Sequence, residues 1–205
     1  HTGQLESAER RLAHLARRTA DLRQLALITQ LQLELLLTVG RREEAVSVGL
    51  QYLGRAGVHW SSQPSLEVVR LEEEAMWRQI GTLPIEQLCE HRCMVEPEVL
   101  GTMRVLVALM QPAWHSNDNL RRLVIFRMVN LSLRYGNSDE SAMVYGWLSM
   151  LLISKPGVTS AACAFGRVAL ALAEPSGNER YSARVYQIVG GNVLHWSQPL
   201  HVARD

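Results

Sequence analysis

Three segments of the chain share one spacing of residues, and this repeated pattern constrains the fold more than any other feature of the sequence. In each segment an alanine is followed by a glycine four residues later and by further residues at i+7, i+8 and i+11. That spacing places all five positions on one face of an α-helix. The three stripes are Ala45, Gly49, Tyr52, Leu53 and Ala56; Ala142, Gly146, Ser149, Met150 and Ile153; and Ala162, Gly166, Ala169, Leu170 and Ala173.

A glycine inside a helix costs about 0.5–1 kcal/mol relative to alanine, so three glycines at equivalent positions need a compensating contact. Close approach of a neighbouring helix supplies such a contact, as between the helices of TPR-type hairpins. Coincidence in a helical protein rich in Ala and Gly is the alternative. The residues expected at helix contacts are Ala45, Gly49, Ala142, Gly146, Ala162 and Gly166.

Helical periodicity runs through almost the whole chain, and turn signals interrupt it at short intervals. No segment shows the alternation of a strand bounded by hairpin turns. We expect an all-α fold, a TPR-like superhelix of about nine or ten helices, irregular in the spacing of its units. The predicted helices cover approximately residues 5–18, 21–39, 42–56, 64–80, 84–90, 97–110, 119–135, 139–154, 160–173 and 179–196, and Pro199 suits the start of another.

Four local features refine this expectation. The helix over 21–39 is apolar on nearly every side, which suits a helix sandwiched between neighbours. Gly40 and Gly136 are predicted to stop the helices that precede them. Pro112 is predicted to end the helix that begins at Pro97. Ser138 with the acidic residues Asp139 and Glu140 is a helix N-terminal signal.

The ends of the sequence predict a single helical-repeat segment over residues 1–205 that continues beyond both ends in a longer parent protein. The chain begins at His1 without an initiating Met, and it stops at Asp205 just after a new helix is expected to start.

The charge is nearly balanced over the whole chain but is unevenly distributed along the sequence. The formal net charge is +1, so no global field attracts nucleic acid or an anionic membrane. Residues 56–100 carry three arginines against eight carboxylates, a net of −5. A solvated helix face is the preferred interpretation, with Glu72, Glu73 and Glu74 on the outer face of their helix, and a docking surface is the alternative.

The sequence lacks the residues that several classes of enzyme require. Lys155 is the only lysine, and its Ser-Lys-Pro-Gly setting predicts a turn, so a P-loop, a protein-kinase or a Schiff-base lysine is not expected. No Gly-x-Ser-x-Gly elbow surrounds any serine. Zinc is an alternative at Cys-Glu-His-Arg-Cys, but on a helix Cys89 and Cys93 share a face that His91 does not. We expect no catalytic residues, metal or cofactor in this segment.

The predicted location is the cytoplasm. Three cysteines without a signal peptide favour a reducing compartment over a disulfide framework. The apolar stretches, such as residues 99–110, are too short or too interrupted for a membrane span.

One segment resembles a known family. Residues 127–138, RMVNLSLRYGNS, with Ala142 and Tyr145 after them, resemble the helical region of large bacterial multidomain sensor kinases. Residues 40–45 leading to Leu53 and Gly57, residues 165–172, and residues 183–186 continuing to His195-Trp196 agree with it, so that the similarity covers most of the chain from about residue 25 onward. These motifs concern packing and turns. The pair Gly190-Gly191 departs from the family, which often has a more hydrophobic residue there.

The resemblance implies a cytoplasmic two-component signalling protein. Members of the family join a Ser/Thr-kinase-like domain and an AAA-type ATPase module to this helical region, and GAF and histidine-kinase domains follow it. The complete protein would then bind ATP and phosphorylate protein. This segment would be a non-catalytic connector that contacts neighbouring domains or a signalling partner.

Aromatic residues are the candidates for the contact surface. Packing in the core is their more common role in a solenoid, but Trp is also enriched among interface anchors. Trp147 and Tyr145 lie on a different face from the Ala142 stripe and are placed to line a concave surface. The candidate interaction residues are Trp77, Trp114, Tyr145, Trp147 and Trp196. The alternative function is a small-molecule effector sensor, which would need an enclosed pocket lined by Trp or Tyr.

Overall fold

The computed structural model describes residues 2–174 and 179–193, and this part of the chain is all-helical, as predicted. It contains no strand, and an isolated parallel backbone bridge joins Cys93 to Asn137. Its helices are α1 (Thr2–Arg18), α2 (Leu22–Thr38), α3 (Arg42–Arg55), α4 (Leu66–Ile80), a 3-10 helix (Ile85–Glu90), α5 (Pro97–Ser116), α6 (Asp118–Tyr135), α7 (Ser141–Ile153), α8 (Thr159–Ala173) and α9 (Glu179–Asn192). The helix expected from Pro199 lies outside the described residues.

The described residues divide into two compact units. Unit 1 comprises the chain up to Arg70 together with Glu96–Val124, and unit 2 comprises Leu71–Val95 together with the described residues from Ile125 onward. Helices α4 and α6 contribute residues to both units. The TPR-like superhelix and the single-segment organisation stay predictions.

Helix ends follow the sequence signals closely. The carboxylate of Asp21 accepts a hydrogen bond from the backbone N–H of Arg23 at 2.8 Å, which caps α2. The Arg23 side chain also donates to this carboxylate, and these bonds lower the pKa of Asp21. Gly40 and Gly136 have φ of +77° and +102°, a left-handed conformation that glycine adopts without strain. Both glycines terminate a helix as predicted.

The prediction that Pro112 ends a helix is wrong. Helix α5 runs through Pro112 and ends at Ser116. A proline inside a helix removes a backbone hydrogen bond and costs about 3 kcal/mol. Here Met110, Pro112 and Ala113 are all buried. We attribute the extra turn to this apolar packing, which offsets the missing bond.

Helix α2 is the centre of unit 1, where it packs against α1, α3 and α5, and α3 also packs against α5. The hydroxyl groups of Tyr52 and Thr102 share a hydrogen bond of 2.9 Å that joins α3 to α5. Burial raises the pKa of the Tyr52 hydroxyl. Helix α2 is packed between neighbours, as predicted, but not all of its leucines are covered, because Leu27 and Leu31 are 55% and 53% exposed.

Helix α7 has the central position in unit 2. It packs against α8 and α9, and α8 packs against α9 and the 3-10 helix. Ten of its thirteen residues are buried, including Ser141 and Ser149. The hydroxyl of Ser149 donates to the carbonyl oxygen of Ala162 at 2.6 Å, so this buried polar group is satisfied by the neighbouring helix.

The turn between α6 and α7 holds the extended segment after the 3-10 helix. The backbone N–H of Asn137 donates to the carbonyl of Arg92, and the N–H of Met94 donates to the carbonyl of Asn137, both at 2.8 Å. The Asn137 side-chain amide donates to the carbonyl of Leu88 at 2.6 Å. A Cβ at Gly136 would overlap the carbonyl of Arg92. The Gly-Asn pair in the segment that carries the family resemblance is therefore a packing device.

At the start of α7, a serine inside the helix makes the side-chain hydrogen bonds. Glu140 is the residue before the helix, and its side chain does not cap it. Instead Ser141 accepts a hydrogen bond from the backbone N–H of Ser138 at 2.9 Å and shares a hydrogen bond of 2.8 Å with Ser132. The Ser138 hydroxyl is buried without a hydrogen-bond partner. The helix start that this signal predicted is confirmed.

Candidate protein-interaction surfaces

Trp114 is the candidate aromatic residue that the structure places on the surface. It lies in the last turn of α5, next to the buried Pro112 and Ala113, and is 43% exposed. The guanidinium of Arg121 lies over its ring, with the carbon 4.5 Å from the ring centroid. Asp118 pairs with Arg121 and holds the guanidinium in place. An indole fixed between a buried turn and an arginine is a rigid anchor for a partner.

A polar cleft of about 1040 Å³ begins at the two residues that follow Trp114. The start of α3, the segment after it and the end of α5 form its walls. Its lining residues, all in unit 1, are Gly40, Arg41, Arg42, Glu43, Glu44, Val46, Ser47, Leu50, Gln51, Ser62, Gln63, His115 and Ser116.

The charges of this cleft are partly neutralised within the protein. Arg41 donates to Glu9 at 2.7 Å and forms a second ion pair with Glu44. The hydrogen bond from Arg41 lowers the pKa of Glu44, and the hydrogen bonds to Glu44 and Glu9 raise the pKa of Arg41. Arg42 and Glu43 are exposed charges of opposite sign beside this pair. The cleft therefore presents mixed charge and amide and hydroxyl groups, which suit a polar extended segment of protein.

A second, mostly apolar groove of about 690 Å³ lies between α1 and α2 in unit 1. Its lining residues are Gln4, Ser7, Ala8, Arg11, Leu12, Leu31, Glu34, Leu35 and Thr38. Leu27 and Leu31 on α2 and Leu15 on α1 each have more than half of their surface exposed. Beside it, a smaller cleft of about 550 Å³ is lined by Ser7, Arg10, Arg11, His14 and Leu15. Two neighbouring helices thus leave apolar side chains uncovered on one side of unit 1.

Two of the predicted surface aromatics pack inside unit 2. Tyr145 is fully buried and stacks on Phe165 of α8, with ring centroids 6.0 Å apart. Trp77 is half-buried and contacts the same phenylalanine at 6.2 Å. Tyr145 is therefore not a surface residue, because α8 covers the face of α7 that carries it. Trp147 is half-buried, and Trp196 lies outside the described residues.

The small residues of the three stripes lie where helices approach one another. Ala45, Ala142 and Ala162 are buried. A Cβ at Gly49 would lie 2.7 Å from Cδ1 of Leu109, and one at Gly166 would lie 3.1 Å from Oγ of Ser149. Gly146 is looser, with Ile188 and Val189 of α9 at 3.6 Å. Helix α5 thus approaches α3, and α7 and α9 approach α8, at positions where a larger side chain would collide.

A fourth close approach of two helices was not predicted from the sequence. A Cβ at Gly101 of α5 would lie 2.9 Å from the Cβ of Ala26 on α2. The available signal was a glycine inside a predicted helix, one turn after Pro97. Gly101 does not belong to the Ala-to-Gly stripe, so that repeat does not indicate this contact.

The acidic side of α4 is not a free docking surface within unit 2. Glu72 accepts from the Asn130 side-chain amide at 2.9 Å and pairs with Arg127 at 3.5 Å. Glu73 pairs with Lys155 at 2.5 Å. Glu72 and Glu73 are half-buried, so their predicted place on an outer face is wrong. Lys155 lies in the turn after α7, as predicted, and this turn contacts α4.

The Cys-Glu-His-Arg-Cys motif does not form a helix face. Cys89 lies in the 3-10 helix, where its thiol donates a hydrogen bond to the carbonyl of Glu86 at 3.0 Å. Cys93 lies in the extended segment that follows and is exposed. Among the described residues, no three His, Cys, Asp or Glu side chains are grouped so that they could hold a metal ion. None of the described helices is long and apolar enough to cross a membrane.

The fold and these surfaces define the class of this protein as all-helical, with clefts on one of its two units. Comparison with known proteins adds no narrower class, because no family model, no curated protein and no solved structure matches the chain. The resemblance to bacterial sensor kinases therefore contributes only to the proposal that follows.

Proposed function

We propose that this chain is a non-catalytic helical interaction segment of a bacterial, cytoplasmic signal-transduction protein. In this role it binds a signalling partner or a neighbouring domain and relays that contact to attached kinase and ATPase domains. The relay rests on the resemblance to sensor kinases. The binding role rests on one observation, the exposed Trp114 with Arg121 over its ring beside a polar cleft.

Three physical properties of this surface support the proposal. Trp and Arg are the residue types that contribute most to protein interfaces when they become buried. The indole needs little ordering on binding, because Arg121 and the buried turn of α5 already hold it. The neighbouring cleft offers hydrogen-bonding groups such as Ser47, Gln51 and Gln63 for the polar backbone of a bound segment.

A display selection tests the binding role. A library of protein fragments from the source organism is selected on immobilised wild-type chain and on the Trp114→Ala variant. We expect a set of fragments enriched on the wild type, whose Kd rises at least about tenfold on Trp114→Ala, as for an interface anchor that contributes more than about 1.4 kcal/mol.

The matched control is Tyr186→Ala, which removes an aromatic side chain that is 50% exposed on α9. Its affinities should equal those of the wild type. Circular dichroism must show equal helix content in all three proteins. If no fragment binds the wild type more tightly than Trp114→Ala, then Trp114 is not a binding anchor. The proposal then no longer has the observation on which its binding role rests.

The small-molecule sensor is the weaker candidate. Its expected feature is an enclosed pocket lined by Trp or Tyr, and none of the three clefts described above has either residue in its lining. A metabolite library tested by thermal shift on the chain separates the two functions. A compound that raises the Tm by several degrees at micromolar concentration would favour the sensor over the connector.

A further inference from the structure

The groove between α1 and α2 is an apolar surface that the helix contacts described for unit 1 leave uncovered. Leu12 and Leu35 line it, and Leu31 stands 53% exposed at its side. On α1 the apolar residues Leu5, Ala8, Leu12 and Leu15 recur at steps of three and four, and on α2 Leu27, Leu31 and Leu35 recur at steps of four. Stripes of this kind form the seam of packed helices.

The charges in this groove are of opposite sign and stand on opposite walls. Arg11 belongs to α1 and Glu34 belongs to α2, and both side chains are exposed. The ion pairs described for unit 1 use other residues, namely Asp21, Arg23, Glu9, Arg41, Glu44, Asp118 and Arg121. A cation on one helix and a carboxylate on the other make the face complementary to itself.

Twofold symmetry converts this arrangement into a specific contact. In a symmetric dimer, a residue i that contacts j of the partner copy requires j to contact i of the partner in return. A dyad parallel to the groove, lying between the two copies, places the α1 side of one copy opposite the α2 side of the other. Arg11 of each copy then faces Glu34 of the other copy, and the leucines of both grooves meet between the two ion pairs.

The size of the face indicates whether it can form a specific interface. Two adjacent helices of 17 residues are each about 25 Å long and about 10 Å wide. Their common face therefore covers about 500 Å² on each copy, or about 1,000 Å² for both, which is near the lower limit for a specific interface. We infer that this chain forms a symmetric dimer of micromolar affinity through the α1–α2 groove, with reciprocal Arg11–Glu34 ion pairs. This inference goes beyond the proposed function and does not depend on it.

Sedimentation equilibrium on the chain, whose monomer mass is 23.0 kDa, measures the association directly. We expect the mass to double between about 1 and 100 µM, the range that corresponds to a micromolar Kd. Leu31→Glu should remain a monomer over this range. The matched control is Leu71→Glu on α4, whose leucine is equally exposed at 53% and which should dimerise like the wild type.

Charge exchange tests the symmetry itself. Arg11→Glu alone and Glu34→Arg alone should each raise the dimer Kd at least about tenfold, because each homodimer then contains two like-charged contacts. An equimolar mixture of the two variants should regain dimers, since every contact between unlike copies again joins opposite charges. The double variant R11E/E34R should also dimerise. Only a direct contact between residue 11 of one copy and residue 34 of the other produces both rescues.

Three outcomes would overturn the inference. The wild-type chain could stay a monomer up to about 100 µM, in which case the groove has another occupant, such as an amphipathic helix of a partner protein. Leu31→Glu and Leu71→Glu could weaken the dimer equally, which would place the contact elsewhere. The mixed charge variants could fail to associate. Since Trp114 and its cleft are unchanged in these variants, the display selection reports on the proposed function independently.

Discussion

The hydroxyl of Tyr145 donates a hydrogen bond to Oδ1 of Asn137 at 3.1 Å, and both side chains are buried. The amide of the same asparagine donates to the carbonyl of Leu88 at 2.6 Å. One side chain thus joins the α6–α7 turn to α7 and to the 3-10 helix. Burial raises the pKa of Tyr145 far above its ordinary value, so its proton stays on the hydroxyl and remains available for this bond.

Removal of this contact should destabilise unit 2. Asn137→Ala leaves the carbonyl of Leu88 and the hydroxyl of Tyr145 buried without their partner, and we expect a loss of about 2–4 kcal/mol in the free energy of unfolding. Tyr145→Phe should lose about 1–2 kcal/mol. Urea unfolding followed by circular dichroism measures both, with the exposed Tyr186→Phe as a control that should change stability by less than about 0.5 kcal/mol. A free energy of unfolding of Asn137→Ala equal to that of the wild type would contradict a stabilising role of these hydrogen bonds.

The glycines of two turns separate backbone strain from steric overlap. Gly136 and Gly157 both have positive φ, +102° and +83°. An added Cβ at Gly157 meets nothing within 4 Å, whereas one at Gly136 overlaps the carbonyl of Arg92. Gly157→Ala should cost about 1–2 kcal/mol from backbone strain alone, and Gly136→Ala should cost at least about 2 kcal/mol more, since backbone must move. If both variants lose equal stability in thermal unfolding, then the segment after the 3-10 helix moves away from the added methyl group at little cost in free energy.

The space around two helical glycines predicts opposite effects of an added methyl group on stability. A Cβ at Gly49 would lie 2.7 Å from Leu109, which is fully buried, so Gly49→Ala should destabilise the protein by about 1–3 kcal/mol. Gly191→Ala in α9 meets open space and should stabilise it by about 0.5–1 kcal/mol through helix propensity. Gly49→Ala/Leu109→Val should recover part of the loss. A neutral Gly49→Ala would show that α3 and α5 are not held at this distance.

One ion pair in unit 2 should make stability depend on pH. The hydrogen bond that Arg167 donates to Glu86 at 2.6 Å lowers the pKa of Glu86 below its ordinary value of 4.5. A carboxylate with a depressed pKa stabilises the fold above its unfolded pKa, and that contribution is lost as pH falls through the folded pKa. Both side chains are about half exposed, so the contribution is about 0.2–1 kcal/mol and decreases with salt.

Arg167→Gln measures this contribution. Its free energy of unfolding should lie below that of the wild type at pH 7 and should approach it below pH 4.5, where Glu86 becomes protonated. Arg184→Gln on α9 replaces another exposed arginine and should show no such convergence. A constant difference between wild type and Arg167→Gln from pH 7 to pH 3 would exclude this ion pair as its cause.

The sequence predicted local structure well because the signals for it are local. Periodicity places apolar residues on one side of each helix, and Gly40 and Gly136 stop helices through a conformation that depends on their own lack of a side chain. The failures have nonlocal causes. Pro112 is a helix breaker in isolation, and its turn is kept by packing that no single segment reveals. Ser138 and Ser141 both suit a helix start, and their hydrogen bonds depend on Ser132.

The sites were harder to predict than the fold. Five aromatic residues were candidates for the contact surface, and the sequence does not show which of them are exposed, because burial depends on which helices cover a face. The structure buries Tyr145 against Phe165 and exposes Trp114 beside Arg121. Position 121 is seven residues from position 114 and in the next helix, so their contact follows from the turn between α5 and α6. The apolar α1–α2 groove was hidden because a helix with leucines on several sides was expected to be covered.

By itself, the sequence determined that the described part of this protein is helical and where most of its helices begin and end. These properties depend on residues within a few turns of one another, where backbone hydrogen bonds and helix periodicity decide the outcome. The tertiary structure alone decided that α7 and not α2 is the enclosed helix, that Asn137 joins three elements, and which side chains face solvent. Those properties depend on burial, and burial is set by helices that are distant in sequence and packed against one another.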